Sequence, residues 1–364
     1  TGVPKVILSL APSLWTPQHG EPFLSNWTPV AQPQTIMVPA PMYHTYGIAT
    51  FFFLLAGDHL VILEKFDAAL ALDVIERFRI TNFTATPTML ARIAARPDVR
   101  QRNLSSVVFI LQGAAVMPPS LMHTWFELLS PEQIVSAYGM TENLGLTALR
   151  GDEWLAHPGS VGRGFRETEI RILDAGRTPL GPGEHGETYL RAPMAAGSRY
   201  LGGAAPLPST DDGFRSAGDI GYLDEDGYLY IVDRRVDMIV TGGANVFPAE
   251  VESALAGHPG IADVVVIGLA DPQWGRRVHA VVQPADRAPL TAQQVIEYAK
   301  SRLAHYKAPK TVEFVDAIPR TAATKVNRSA MIEARGGEVR STTGIATPTT
   351  TARRRFEQIP PRAR

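Results

Sequence analysis

The sequence predicts an α/β protein in two parts: a large unit with helices flanking a parallel sheet, then a smaller α+β unit. Three observations predict it. Between residues 60 and 112, short apolar runs alternate with longer stretches of helical period, the pattern of a sheet covered on its faces. Between 169 and 232 the helical period gives way to short runs at 169–173 and 187–191 and a hairpin around Asp224-Glu225-Asp226-Gly227, the pattern of a small antiparallel subdomain. Beyond 237 a further series of strands and helices occupies about 100 residues, a common size for a small domain.

The elements are expected in this order. Residues 18–33 carry Gly, Pro and Asn and read as a loop, and a strand follows at 34–39. Residues 47–57 form an apolar run of core-helix length. Strands are expected at 60–64, 81–86 and 107–111, with helices at 67–78, 88–95 and 118–129. Residues 159–164 (GSVGRG) follow no strand and read as a surface turn, and 197–213 has the composition of a mobile surface loop. In the second unit, strand 238–240 meets a Gly242-Gly243 turn, and Pro248 opens a helix that carries Glu250 in its first turn. Strands at 264–268, 278–283 and 311–315 follow, with a helix at 291–303 capped by Thr291 and no acid three residues on. After Arg335 the chain turns Thr-rich and then basic, the composition of a disordered tail.

Composition narrows the function classes. The 364 residues are 45% hydrophobic and 20% charged, with 35 basic and 36 acidic residues, so no charge excess points to nucleic acid or an anionic surface. Absence of cysteine excludes disulfides, a thiol nucleophile and thiolate metal sites. No apolar run approaches the roughly 20 residues that span a bilayer. No signal-peptide pattern opens the chain, and a cytoplasmic location is the default expectation.

Several residues carry chemistry. Asp219 can accept hydrogen bonds from two adjacent hydroxyls of a vicinal diol, and Arg234 can reach the same ligand as a charged donor. Standing alone, an Asp in a Gly-rich turn is ordinarily a solvated turn residue. In Tyr138-Gly139-Met140-Thr141-Glu142, the tyrosine offers a ring to a base, Thr141 a hydroxyl to a phosphate, and Glu142 a hard oxygen to Mg2+. Gly113-Ala114-Ala115 ends a strand with small residues that admit a planar ring or an acyl chain to the backbone; simple packing is the alternative. His44 stands at a strand-to-helix junction, where ligands of open α/β sheets gather, though a capping histidine is the commoner outcome. Lys307 and Lys310 read first as a solvated face, and Trp274 equally as a core anchor.

In order along the chain, these motifs resemble those of the acyl-adenylate-forming superfamily, which includes acyl-CoA synthetases, luciferases and peptide-synthetase adenylation domains. Residues 138–142 match its YGxTE motif in full. Asp219 matches the GD motif, Asp233-Arg234 opens the interdomain joint, and residues 319–328 resemble the closing PRTxxGKxxR. Thr1-Gly2-Val3-Pro4-Lys5 resembles the end of the phosphate loop, whose backbone N–H groups and Lys face phosphate oxygens. Three positions depart from the pattern: Val6 stands where Gly is common, Thr324 replaces a Gly, and Val236 replaces the charged hinge pivot.

The resemblance implies a large AMP-binding domain over 1–233, a hinge at 234–237, a lid domain at 238–335 and a tail at 336–364. It implies ATP, Mg2+ and coenzyme A, with Thr1, Gly2, Lys5, Gly113, Ala114, Ala115, Tyr138, Gly139, Asp219 and Arg234 at the nucleotide and Gly242 and Gly243 along the pantetheine arm. His44 would position the substrate, Thr141 a phosphate and Glu142 the metal. Lys325 would reach the site during adenylation, where its ammonium cancels charge between the carboxylate and the α-phosphate. Asn143-Leu144-Gly145-Leu146 would line an acyl pocket without charge, which favours a fatty or aryl acid over an amino acid. The expected function is ligation of a small-molecule carboxylic acid to CoA through acyl-AMP, with no nucleic-acid partner, no membrane span and a homo-oligomer left open. A carrier-protein thiol or an amine is the alternative acceptor. The resemblance also implies that the family's N-terminal subdomain precedes Thr1, so the chain as given is expected to be an inactive fragment; a non-catalytic nucleotide-binding remnant is the rival reading.

Overall fold

The computed structural model describes residues 6–8, 33–48, 50, 53–54, 57–195, 197–201, 206–234, 237–285, 290–320 and 326–336. Thr1, Gly2, Lys5, the pivot Val236, Lys325 and the tail beyond 336 lie outside the described residues.

The large unit is built on a seven-stranded sheet. Its order is His59–Ile62, Thr35–Val38, Asn82–Ala85, Phe109–Gln112, Ile134–Gly139, Leu146–Arg150 and Arg163–Phe165. The first five strands are parallel, and the last two ladders, joining the fifth strand to the sixth and the sixth to the seventh, are antiparallel. Helices Ala68–Phe78, Pro87–Ala94 and Pro119–Phe126 form because each starts on a stop-start signal and carries one apolar stripe. Asp67 and Thr86 cap the first two by accepting from Leu70 N and Met89 N, and Pro87 and Pro119 sit in first turns, where their missing N–H costs nothing. Their stripes, among them Leu72, Ile75, Leu90, Ile93 and Trp125, pack on Phe83, Ile110 and Ile134 in one core. A fully buried side chain of this size contributes roughly 1.5–3 kcal/mol each, so this layer anchors the strand ends that carry the site.

A four-stranded antiparallel sheet follows, ordered Leu229–Arg234, Arg215–Leu223, Gly186–Arg191 and Glu169–Leu173. Residues 159–164 join the two sheets instead of forming the expected surface turn. Ser160 and Gly162 are buried, Ser160 Oγ donates to Leu229 O, and Val161 N and Gly162 O pair with Leu229. Gly162 has φ +97°, and a Cβ there would run into the Ala148 backbone. Within the expected loop at 197–213, Arg199–Leu201 forms a strand that pairs antiparallel with Val6–Leu8.

The smaller C-terminal unit has the hairpin Ile239–Thr241/Ala244–Val246, helix Pro248–Ala256 and a three-stranded sheet of Ile261–Asp271, Gly275–Pro284 and Thr311–Phe314. Its central hairpin is longer than the apolar runs suggest, because Asp271 Oδ1 accepts from Gln273 N and Trp274 N and closes a tight turn that extends the ladder. Helix Ala292–Lys300 starts on Thr291 as expected, and Gln294 completes a reciprocal capping box in the absence of an acid. Among the described residues, no helix is long and apolar enough to cross a membrane.

Candidate active site

Strand register builds the centre of the site. Arg215–Leu223 and Leu229–Arg234 are joined by the Asp224–Gly227 turn, and their pairing sets Asp219 directly opposite Arg234. The two form an ion pair at 3.8 Å, with Asp219 buried and the Arg234 side chain 58% exposed. Tyr138, near the end of strand Ile134–Gly139, donates its hydroxyl to Asp219 Oδ2 at 2.6 Å. Three candidates separated by up to 96 positions in sequence therefore share one cluster. Burial raises the Asp219 carboxyl above its usual range, opposed by the Tyr138 hydrogen bond and by Arg234. Burial, and then the charge of Asp219, push the Tyr138 hydroxyl well up, so it remains a donor.

Beyond Tyr138 the strand stops at Gly139, and Asn143 N bonds Met140 O in a tight turn. Asn143 has φ +56°, a left-handed conformation that Asn tolerates better than most residues. The turn displays Thr141, which is exposed, and Glu142. Tyr200 donates to Glu142 Oε1 at 2.6 Å, and among the described residues no protein donor reaches Oε2. The negative charge of Glu142 bears on Asp219, which places both carboxylates in one electrostatic neighbourhood. Tyr200 was not legible as a site residue: it is a single aromatic inside a stretch with loop composition.

His44 precedes the short helix Thr45–Ile48 and meets Tyr46 edge-to-face at 5.9 Å. A Cβ on Gly113 would run into the Tyr46 hydroxyl and Ala137 O. Packing against these atoms therefore requires that glycine. Ala114, at φ +67°, and Ala115 are exposed and remain the open part of the turn. Leu144 is fully buried, and a Cβ on Gly145 would run into Thr168 and Leu190, so these two residues pack at the joint between the sheets.

In the smaller unit, Gly242 and Gly243 occupy the hairpin turn at φ +55° and +83°. Gly242 N donates to Trp274 O at 2.9 Å, and a Cβ on Gly242 would stand 2.6 Å from the indole ring. Trp274 is 40% exposed and covers this loop, so it is no core anchor. Lys310 Nζ lies 5.1 Å from its ring centre, and Lys307 pairs with Glu250 at 2.6 Å; neither is a bare solvated charge. A cleft of about 1370 Å3 separates helix Pro248–Ala256 from the four-stranded sheet. Its walls include Ile220, Tyr222, Tyr230 and Lys307, but not Tyr138, Glu142 or Asp219.

The joint between the units is tied by polar contacts. Asp233 Oδ2 accepts from Ala249 N in the first turn of helix Pro248–Ala256. Arg328 bonds both Glu252 oxygens at 2.7 and 2.8 Å, approaches Asp237 at 3.5 Å and reaches Val266 O. This cluster brings the last residue of the closing motif, Arg328, to the last residue of the hinge, Asp237.

Residues 1–201 match the family described as AMP-binding enzyme, and residues 250–325 match its C-terminal domain. The chain belongs to the AMP-binding enzyme family. It is 35% identical over 302 residues to a feruloyl-CoA synthase of Amycolatopsis, a match covering 82% of this chain and 61% of that protein. The o-succinylbenzoate CoA synthetase of Bacillus subtilis, solved with its acyl-adenylate intermediate, superposes with a TM-score of 0.74 at 32% identity over 86% of this chain and 64% of that one. The amide bond synthetase McbA of Marinactinospora thermotolerans gives 0.72 at 28% identity, covering 85% and 64%. The chain thus spans about three fifths of the length of these family members.

Proposed function

We propose that this family member contributes the nucleotide and lid surfaces of an acid–CoA ligase that works through an acyl-adenylate. The observation that carries the reading is the Tyr138–Asp219–Arg234 cluster with Glu142 in its electrostatic neighbourhood. Asp219 and Arg234 would hold the ribose hydroxyls of ATP, the Tyr138 ring the adenine, and Thr141 a phosphate oxygen. Glu142 presents a carboxylate oxygen that fits Mg2+. Among the described residues no three His, Asp or Glu side chains gather to hold a metal by themselves, and Mg2+ commonly shares one carboxylate with substrate phosphates. When bound, the ion neutralises phosphate charge. The chain's own groups then orient the α-phosphorus toward the attacking carboxylate, and pyrophosphate leaves.

The domain assignment belongs to the same proposal: 1–233 as nucleotide domain, 234–237 as hinge and 238–335 as lid. Lys325 would serve the adenylation step. Rotation about the hinge would then bring Gly242-Gly243 to the thiol, with Trp274 flanking the narrow path. Similarity to the feruloyl-CoA synthase and the succinylbenzoate synthetase supports CoA as acceptor and, of the fatty and aryl acids expected, an aryl acid as substrate. Similarity to an amide bond synthetase supports a second reading, in which an amine takes the acyl group. The test, run on a protein that joins this chain to the family's N-terminal subdomain, is acid-dependent ATP–pyrophosphate exchange with panels of aryl and fatty acids, followed by addition of CoA or amines. Exchange with none of the acids sinks the proposal, and product with amines alone favours the second reading.

A further inference from the structure

The Tyr200–Glu142 hydrogen bond has no counterpart in the motifs read above. The Met140–Asn143 turn displays Glu142 on the surface of the large unit, where a carboxylate would ordinarily sample several rotamers. Tyr200 Oη removes that freedom. At 2.6 Å the bond falls in the short range of a hydroxyl donating to a carboxylate. It engages Oε1, and among the described residues Oε2 is left without a protein donor, so the carboxylate presents one chosen oxygen.

Tyr200 is itself held. Its strand Arg199–Leu201 pairs with Val6–Leu8, with Ile7 opposite Tyr200, and Arg199 and Leu201 on either side are exposed while Tyr200 is half-buried. Val6 follows directly on the Thr1–Lys5 segment. One phenol therefore links the carboxylate to the strand that continues the phosphate-loop motif.

We propose that Tyr200 is a positioning residue that aims Glu142 Oε2 at a divalent cation; this rests on the reading of Glu142 as the cation's protein ligand. Partners that orient a metal-binding carboxylate or imidazole typically account for 10–100-fold in metal affinity.

The test uses Mn2+ as the probe, titrated by electron paramagnetic resonance against protein saturated with α,β-methylene-ATP. Nucleotide affinity is measured separately in EDTA. Tyr200→Phe, which keeps the ring, is expected to weaken Mn2+ about 10-fold or more and to leave the EDTA nucleotide affinity within about twofold. Tyr200→Gln, which restores a donor, should recover part of the loss. Glu142→Gln calibrates the result. If Glu142→Gln weakens Mn2+ and Tyr200→Phe does not, the positioning role is overturned and the reading of Glu142 stands. If neither variant changes Mn2+ affinity, both fall. Loss of nucleotide affinity in EDTA by Tyr200→Phe marks a merely structural role and overturns the proposal.

Discussion

Tyr138 and Asp219, 81 residues apart, are joined by a 2.6 Å hydrogen bond from the phenol to Oδ2, and Arg234 faces the other carboxylate oxygen from the neighbouring strand. The residue proposed for the adenine and the residue proposed for the ribose therefore fix each other before any ligand arrives. Preorganisation of this kind lowers the ordering cost of binding.

Asp219→Ala should accordingly weaken ATP by about 2–4 kcal/mol, since it removes a charged acceptor and strands the buried Tyr138 hydroxyl. Tyr138→Phe should cost about 1 kcal/mol. It should also move the acid limb of ATP binding to higher pH, because the hydrogen bond that favours the ionised Asp219 is lost while burial remains. Calorimetric titration between pH 5 and 8 checks both. Unchanged ATP affinity in Asp219→Ala sinks the ribose assignment.

Asp233 gives the clearest pH dependence. Burial raises its pKa from 3.8 to about 7, outweighing two backbone N–H donors and Arg328. The folded state thus holds this proton more tightly than the unfolded chain. That contribution to stability is complete below about pH 3.8 and is lost as pH rises toward 7. Asp233→Asn keeps an acceptor for Ala249 N and removes the titration. Its thermal midpoint should exceed wild type at pH 8, and the gap should shrink as pH falls to 5. Parallel curves for the two proteins would contradict the assignment.

Gly242 is pinned twice, by φ +55° and by the Trp274 ring 2.6 Å from the position a Cβ would take. Gly242→Ala should destabilise the lid by about 1–3 kcal/mol. In a double-mutant cycle with Trp274→Ala, part of that cost should vanish, because the clash goes and the backbone strain stays. Strict additivity, measured by urea unfolding, would show that the ring does not restrict this loop.

What could be read from the sequence follows from where each signal resides. The hairpin was legible from its turn at Asp224–Gly227, but the Asp219–Arg234 register was not: the ladder shifts between Ile220 and Gly221, and without that irregularity the turn would set Asp219 opposite Asp233. The parallel strands were legible as apolar runs between capped helices. Tyr200 was not, because its partners lie 58 positions away at Glu142 and on Val6–Leu8, and a lone tyrosine among Gly, Ala and Pro has no period. Ser160 and Gly162 look like turn residues by type; their burial comes from Leu229 and Ala148, which only the meeting of two sheets supplies. Trp274 was ambiguous for the same reason: local sequence says a large ring is present, and only the hairpin turn says what it covers.

The last prediction joins the closing motif to the hinge. Arg328 stands three residues after Lys325 and is held by Glu252 and by Asp237. Burial disfavours its charge, but the two carboxylates more than compensate and hold its pKa above the ordinary arginine value. Arg328→Gln would leave both acids facing a neutral amide, at a cost of about 3 kcal/mol, the lower end for breaking a buried pair, since all three side chains keep some exposure. Lys325→Ala should lower acid-dependent pyrophosphate release by ~10²–10³, the size of losing one charge-stabilising donor, and spare thioester formation from supplied acyl-AMP. Arg328→Gln should resemble it in kind, losing about tenfold in the first step, equivalent to about 1.4 kcal/mol, with the second step nearly intact. Single-turnover rates for both steps decide the matter. Equal losses in the two steps would mean that Arg328 supports the lid as a whole and does not act through the Lys325 segment.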